Sequence, residues 1–360
     1  MSISILHSRI ARLACLISLL GLVFYFATSG GNELATPVQT TTHSQVLALQ
    51  QRITADSLPI KFMPSIEWRP LKSKAIVTLL TSDTKGFDGY YMMALLQTYT
   101  LLHDEKTAIN LSDDVEWVIV VTEKIPKQKR ALLLAMGARL LVMNSLFIKG
   151  ISDKSPQWQY CYTKLYLFRL ENIYKQILYV DSDIFFRSSP LPLFNFIEEA
   201  TVKTPEKYYF GARQDWGLAK GTFNAGLFLF SPSIKHYDML MSLIPRTESY
   251  ASWMMEQGLL NWYFGKGGPS GVIWSPLPEH YNVQFVNKRP QKEIDEAIGF
   301  HAKFWWEDVS PHTEVYLEWR AALLKFKKYQ LEYYGGSDVP DIPDTFGKLA
   351  NVIADFEKIK

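Results

Sequence analysis

Three short apolar runs constrain this chain more than any other feature: residues 74–81 (KAIVTLLT), 115–122 (VEWVIVVT) and 138–143 (ARLLVM). They are nearly continuous rather than alternating, which is the pattern of strands covered on both faces in a parallel sheet. Residues 90–102 and 127–136 lie between them and read as helices. Strand alternating with helix implies right-handed βαβ units and a doubly wound sheet. A fourth unit follows, with a helix over 163–171 and a strand over 176–180 that ends in Asp181-Ser182-Asp183. In open α/β sheets ligands bind at the carboxyl ends of the strands. The two carboxylates therefore fall where a ligand site is expected.

Composition narrows the function classes. Apolar residues are 48% of the 360 and charged residues 21%, which excludes a disordered chain. The 38 Lys and Arg against 36 Asp and Glu leave a formal charge of +2, without the basic excess a nucleic-acid partner requires. Cys15 and Cys161 alone make no disulfide framework. No Gly-rich loop has Walker or dinucleotide spacing, and the Gly-rich stretch 265–269 reads as a turn. Aromatic residues reach 14%, enough to supply stacking platforms for sugars or bases as well as a core, with Trp262, Trp305 and Trp306 as candidates.

The first thirty residues read as an address. Arg9 and Arg12 precede an apolar run at 13–27 (LACLISLLGLVFYFA). We expect residues 1–12 to be a cytoplasmic tail and 13–30 a signal anchor, with the positive charges holding the N-terminus in the cytosol. The alternative is a secretory signal cleaved near Ala27-Thr28-Ser29, since the run also overlaps the length of a signal peptide. Both send the chain into the secretory pathway: a single-pass type II Golgi membrane protein with a lumenal domain, or a secreted one. Residues 31–72, rich in Thr, Gln and Pro, read as a stem. The sheet-forming domain is expected over 73–330, then a linker and short amphipathic helix over 331–360. Asn110-Leu111-Ser112 is the one glycosylation sequon and is consistent with a lumenal surface loop.

Asp181 and Asp183 flank one residue just past a strand, and in extended geometry residues i and i+2 point the same way. Two such carboxylates can share a divalent cation, and that cation can hold a diphosphate. Taken alone, Asp-X-Asp is more often an Asx turn. The context is more specific. Thr163-Lys164-Leu165, the strand before Asp181-Ser182-Asp183, and Ser189-Pro190-Leu191 come first. Phe223-Asn224-Ala225-Gly226-Leu227 with Ser231-Pro232-Ser233, Glu256-Gln257-Gly258, and Leu277-Pro278 with Tyr281-Asn282 follow in order. Across roughly 74–305 this series resembles glycosyltransferase family 8, the glycogenin-like family. Residues 90–103 (YYMMALLQTYTLLH) further resemble its fungal Golgi N-acetylglucosaminyltransferase branch.

The resemblance implies the GT-A fold, an α/β architecture in which a Rossmann-like, mainly parallel sheet merges with an acceptor subdomain. It implies a retaining, Mn²⁺-dependent transfer from a UDP-sugar to a glycan or protein acceptor. By position, Asp181, Asp183 and His301 would be metal ligands, and Asp181, Ser182 and Asp183 would face the donor diphosphate. Thr81 and Asp83 match the nucleotide-binding turn. Asn224, Ala225 and Gly226 match the stretch where backbone approaches the sugar. Lys164 matches a lysine that approaches the donor, Asp215 a carboxylate on sugar hydroxyls, and Gln257 the residue near the reacting face. The family's closing Gly and Lys-Pro-Trp are absent from His301-Ala-Lys-Phe-Trp-Trp-Glu-Asp308, which leaves Lys303 as the substitute diphosphate cation. That departure supports a non-catalytic sugar-binding relic as one alternative. A haloacid-dehalogenase-type phosphohydrolase, with Asp181 as nucleophile, is the other.

Overall fold

The computed structural model describes residues 61–62, 71–81, 88–109, 114–152, 158–205 and 207–334. The apolar runs form strands β2 (Lys74–Leu80), β3 (Val115–Thr122) and β4 (Arg139–Met143), joined by β5 (Gln176–Val180). These four are parallel, in spatial order β4-β3-β2-β5. The chain moves outward from β2 to β4 and then returns to β2's other edge, so a topological switch point lies between β2 and β5. The short strand β1 (Lys61–Phe62), inside the stretch read as stem, pairs antiparallel with β4. On the other side β8 (Phe223–Phe230) runs antiparallel to β5, with β7 (Phe210–Gln214) antiparallel to β8 and β9 (Ser275–Pro276) parallel to β7. A second sheet pairs β6 (Ile184–Phe186), β11 (Gly299–His301) and β10 (Val283–Gln284).

The strand residues divide by parity between two cores, which is why their sequence is apolar throughout. Ile76, Leu80, Ile119 and Leu178 join one buried cluster, and Ala75, Val77, Val118 and Tyr179 join the other. Each fully buried aliphatic side chain contributes about 1.5–3 kcal/mol, so both faces strongly oppose a register slip.

Helix α1 (Gly89–His103) lies in the first core and is buried on nearly every face. Its N-cap Asp88 accepts from the Tyr91 amide, and Gly89 lacks a Cβ where Trp305 packs against it. Helices α2 (Lys127–Ala135) and α3 (Phe194–Lys203) follow, then α4 (Ile234–Leu243) and α5 (Met255–Tyr263), which pack in the second core. Helix α6 (Gln291–Glu296) precedes α7 (Thr313–Tyr334), which packs on α1 in the first core and runs past the boundary expected at 330.

The segment expected as a helix over 163–171 is a 3-10 helix, Cys161–Asn172, broken at Leu170. Eclipsed i, i+3 positions replace the α-helical stripe there, and Tyr162, Leu165 and Phe168 are fully buried.

The anchor, most of the stem, Asp83, the sequon at Asn110 and the tail beyond 334 lie outside the described residues. Among the described residues no helix is long and apolar enough to cross a membrane.

Candidate active site

Asp181-Ser182-Asp183 connects β5 to β6 at the carboxyl edge of the sheet, beside the end of β2 at Thr81. Its backbone is held from three directions. Asp181 N–H donates to Gly226 O on β8 at 2.7 Å. Gln97, buried on α1, donates from Nε2 to Asp181 O and Ile184 O, at 2.9 Å each. Ala302 N–H donates to Asp183 O at 3.1 Å. Pairing of β11 with β6 sets His301 opposite Ile184, and that register brings the imidazole to the carboxylates. His301 Nε2 lies 3.2 Å from Asp183 Oδ1 and 4.0 Å from Asp181 Oδ2. One ligand atom from each of Asp181, Asp183 and His301 falls within 4.8 Å of the others, the only such group among the described residues.

Gly226 makes the convergence sterically feasible. A Cβ there would collide with the His301 ring and sit 2.7 Å from Asn224 Oδ1 and 2.9 Å from Asp181 Oδ2. Paired carboxylates with an imidazole also suit Mn²⁺ by donor type, so the residues present fit a divalent cation. Gly226→Ala is expected to lower Mn²⁺ affinity by about 10–100-fold, the range seen when a ligand's support is disturbed. Calorimetry on the folded variant checks this, and wild-type affinity would contradict it.

A hydrogen-bond chain continues from the imidazole. His301 Nδ1 is 3.1 Å from Asn282 Oδ1, while its Nε2 faces the carboxylates. Asn282 Nδ2 donates to Asn224 Oδ1 at 3.1 Å, and Asn224 Nδ2 donates to Asp215 Oδ2 at 3.1 Å. Gln257 Oε1 accepts from Ala225 N–H at 2.8 Å, while its Nε2 is 3.4 Å from Asp215 Oδ2. Asp215, Asn224 and Gln257 thus form one cluster at the start of β8 and the first turn of α5. Met255 opens that turn with φ of 54°, a left-handed conformation unusual for a side chain of this size.

The two lysines occupy different environments. Lys164 is 5% exposed. Its Nζ lies 2.8 Å from Glu256 Oε1, 3.0 Å from Asp181 Oδ1 and 3.2 Å from Ala225 O. Burial alone pulls its ammonium down, but Asp181 and Glu256 more than offset that and hold it well above the usual lysine range. All three acceptors are protein groups, so Lys164 braces Asp181 from behind. Lys303 is half-buried, with Nζ 3.1 Å from Asp183 Oδ2. Burial pushes the Asp183 carboxyl up, yet His301 and Lys303 beside it hold it well below the ordinary range. Burial likewise lowers His301, and Asp183 reverses this and raises it overall.

The structure therefore brings together Lys164, Asp181, Ser182, Asp183, Asp215, Asn224, Ala225, Gly226, Gln257, His301 and Lys303. Thr81 stands at the rim, its carbonyl accepting from Thr122 Oγ1. Gln97, Glu256 and Asn282 complete the site and were not singled out as site residues from sequence. All three lie within the quoted stretches, Gln97 among the residues 90–103 on a helix that also carries Thr98, Thr100 and His103. Trp305 is a correction: it is 9% exposed and packs over Gly89, so it is core and not a sugar platform. Trp262 is half-buried and stacks on Tyr250, and only Trp306 of the three is largely exposed.

A Rossmann-like sheet with an Asp-X-Asp turn at its switch point, joined to an antiparallel extension that carries Asn224, is the GT-A glycosyltransferase architecture. Residues 39–303 match the profile of glycosyl transferase family 8, and the chain belongs to that family. It is 35% identical over 116 residues to the uncharacterized protein C5H10.12c of Schizosaccharomyces pombe, covering 30% of this chain and 29% of that protein. Glycogenin-1 of Mus musculus is 29% identical over 150 residues, covering 42% of this chain and 40% of its own. The aligned segments thus span well under half of either relative. A solved structure of the galactosyltransferase LgtC, in complex with donor and acceptor sugar analogs, is similar at 17% identity and a TM-score of 0.45, over 74% of this chain and 98% of that one.

Proposed function

We propose that this protein is a Mn²⁺-dependent retaining glycosyltransferase that moves a sugar from a UDP-sugar to a glycan or protein acceptor in the secretory pathway. The observation that carries the reading is the convergence of Asp181, Asp183 and His301 around the side-chain-free position at Gly226. A divalent cation bound by these three would supply Lewis-acid stabilisation of the departing diphosphate.

The remaining work falls to side chains already in place. Lys303, whose side chain is 25% exposed, is the cation free to turn from Asp183 toward a diphosphate oxygen, and so answers for the absent Lys-Pro-Trp. Lys164 holds the Asp181 carboxylate in place through its 3.0 Å contact with Oδ1. Asp215, with Asn224 beside it, offers acceptors and donors for sugar hydroxyls. Gln257 presents an amide rather than a carboxylate near the reacting carbon, so no carboxylate nucleophile stands out. Retention then follows from attack on the same face: the acceptor oxygen bonds to the anomeric carbon as the diphosphate oxygen departs and takes the acceptor's proton. The phosphohydrolase reading is not favoured, because residues 39–303 match a glycosyltransferase family.

A screen of UDP-glucose, UDP-galactose, UDP-N-acetylglucosamine and UDP-glucuronic acid tests the reading. One donor should be turned over with Mn²⁺ and not with excess chelator, and UDP should bind in the same conditions. Binding without turnover of any donor would favour the non-catalytic relic, and neither would overturn the reading. The secretory location rests on Arg9, Arg12 and the apolar run at 13–27. Lumenal topology predicts a glycosidase-sensitive mobility shift on gels that Asn110→Gln removes. A wild-type chain without that shift would count against it.

A further inference from the structure

Two aromatic rings stand exposed beside the site without serving the core. Trp216 is 44% exposed and Phe285 42%, and their centroids are 5.5 Å apart. Exposing this much aromatic surface is unfavourable in water unless something covers it. Both rings are nonetheless held in place. The Arg289 guanidinium lies 4.6 Å from the Trp216 ring centroid and occupies one face. Arg289 is itself 5% exposed, with Nε on Gln284 O at 2.8 Å and Nη1 on Glu293 at 3.1 Å. Its buried Nη2 has no hydrogen-bond partner among the described residues, and the electron-rich ring supplies the missing attraction. The Trp216 amide donates to Gln284 Oε1 at 3.2 Å.

Phe285 sits at φ 52°, ψ 54°, a left-handed conformation that side-chain-bearing residues adopt only when the surroundings impose it. Its carbonyl accepts from Lys288 N–H at 2.8 Å. Its ring packs at Gly217, where an added Cβ would lie 3.2 Å from two ring carbons. The backbone is therefore strained in the direction that presents this ring beside Trp216.

The location selects the occupant. Trp216 directly follows Asp215, and Gly217 N–H donates to Asp215 Oδ1 at 2.8 Å, so Trp216 shares its loop with the carboxylate that Asn224 and Gln257 contact. We propose that Trp216 and Phe285 form the acceptor subsite and that the acceptor is a carbohydrate, its pyranose ring lying on the aromatic pair. The apolar C–H face of a pyranose matches an aromatic surface, while its rim hydroxyls reach polar groups at the edge. The proposal rests on the glycosyltransferase reading and chooses a glycan over a protein acceptor.

An oligosaccharide array probed with the full chain in UDP and Mn²⁺, followed by calorimetry on the strongest glycan, tests it. Trp216→Ala should weaken glycan binding by about tenfold or more. Trp216→Phe should recover most of it, and UDP affinity should fall much less than glycan affinity in either variant. Retained glycan affinity in Trp216→Ala overturns the proposal. So does equal loss of UDP and glycan affinity, which would mark Trp216 as merely structural. UDP binding by a wild type that retains no oligosaccharide also overturns it and leaves the parent reading standing. A wild type that binds no UDP overturns the parent reading, and the proposal falls with it.

Discussion

Under the proposed function, Asp183→Ala should lower Mn²⁺-stimulated UDP-sugar turnover by about 10²–10³-fold or more, the scale of losing one group that stabilises developing charge. Asp183 is the centre of the site's electrostatics: its Oδ1 faces His301 Nε2 at 3.2 Å and its Oδ2 faces Lys303 Nζ at 3.1 Å. Removing the carboxylate deletes a candidate ligand atom and also leaves the Lys303 ammonium uncompensated beside the site, where it repels any divalent ion. Asp183→Asn keeps the shape and removes the charge, so it separates charge from packing. Both variants should fail to respond to Mn²⁺ in a donor-hydrolysis titration while remaining folded by circular dichroism. Wild-type turnover in both would remove Asp183 from the metal site.

Lys164→Met is expected to have the largest effect on stability. Lys164 and Glu256 have side chains only 6% and 5% exposed, so neither charge is compensated by water. Breaking a buried pair by deleting one partner costs about 3–5 kcal/mol, because the other charge stays buried alone. For a domain of this size the melting temperature should fall by on the order of 10 °C. The Lys164 value is raised above that of an unfolded lysine, so its contribution is fully present at neutral pH and is lost only as pH rises through the raised value. Adding Glu256→Gln should recover part of the loss, since it removes the stranded charge. Thermal melts of the two single variants and the double measure this. Additive losses, or a melting temperature for Lys164→Met within a degree or two of wild type, would show that the pair carries no such coupling.

Much of the catalytic sheet was legible in the sequence because its determinants are local. A strand covered on both faces must be apolar at successive positions, and Val115–Thr122 and Gln176–Val180 coincide with their expected runs. Asp181-Ser182-Asp183 could be placed at a strand's carboxyl end for the same reason. The Cys161–Asn172 helix was found but not its 3-10 winding, since hydrogen-bond register within a short buried helix leaves little trace in composition. Lys164 lies in a buried ion pair that no local pattern announces, because its packing against Asp181 and Glu256 joins segments distant in the chain.

What the sequence by itself determined, then, was the parallel strands, the position of the carboxylate pair and the order of motifs around it. Only the tertiary structure decided how these become one site. Pairing of β11 with β6 sets His301 against Asp183, and Gln97 clamps the Asp181 turn from a helix of the other layer. Asn282, Asn224, Asp215 and Gln257 join into one chain only when β8, α5 and the loop before β10 meet. Trp305 disappears into the core while Trp216 and Phe285 emerge as the exposed pair. The physical reason is range: periodicity reports which face of its own element a residue occupies, whereas the identity of its neighbours is set by long-range strand register and packing.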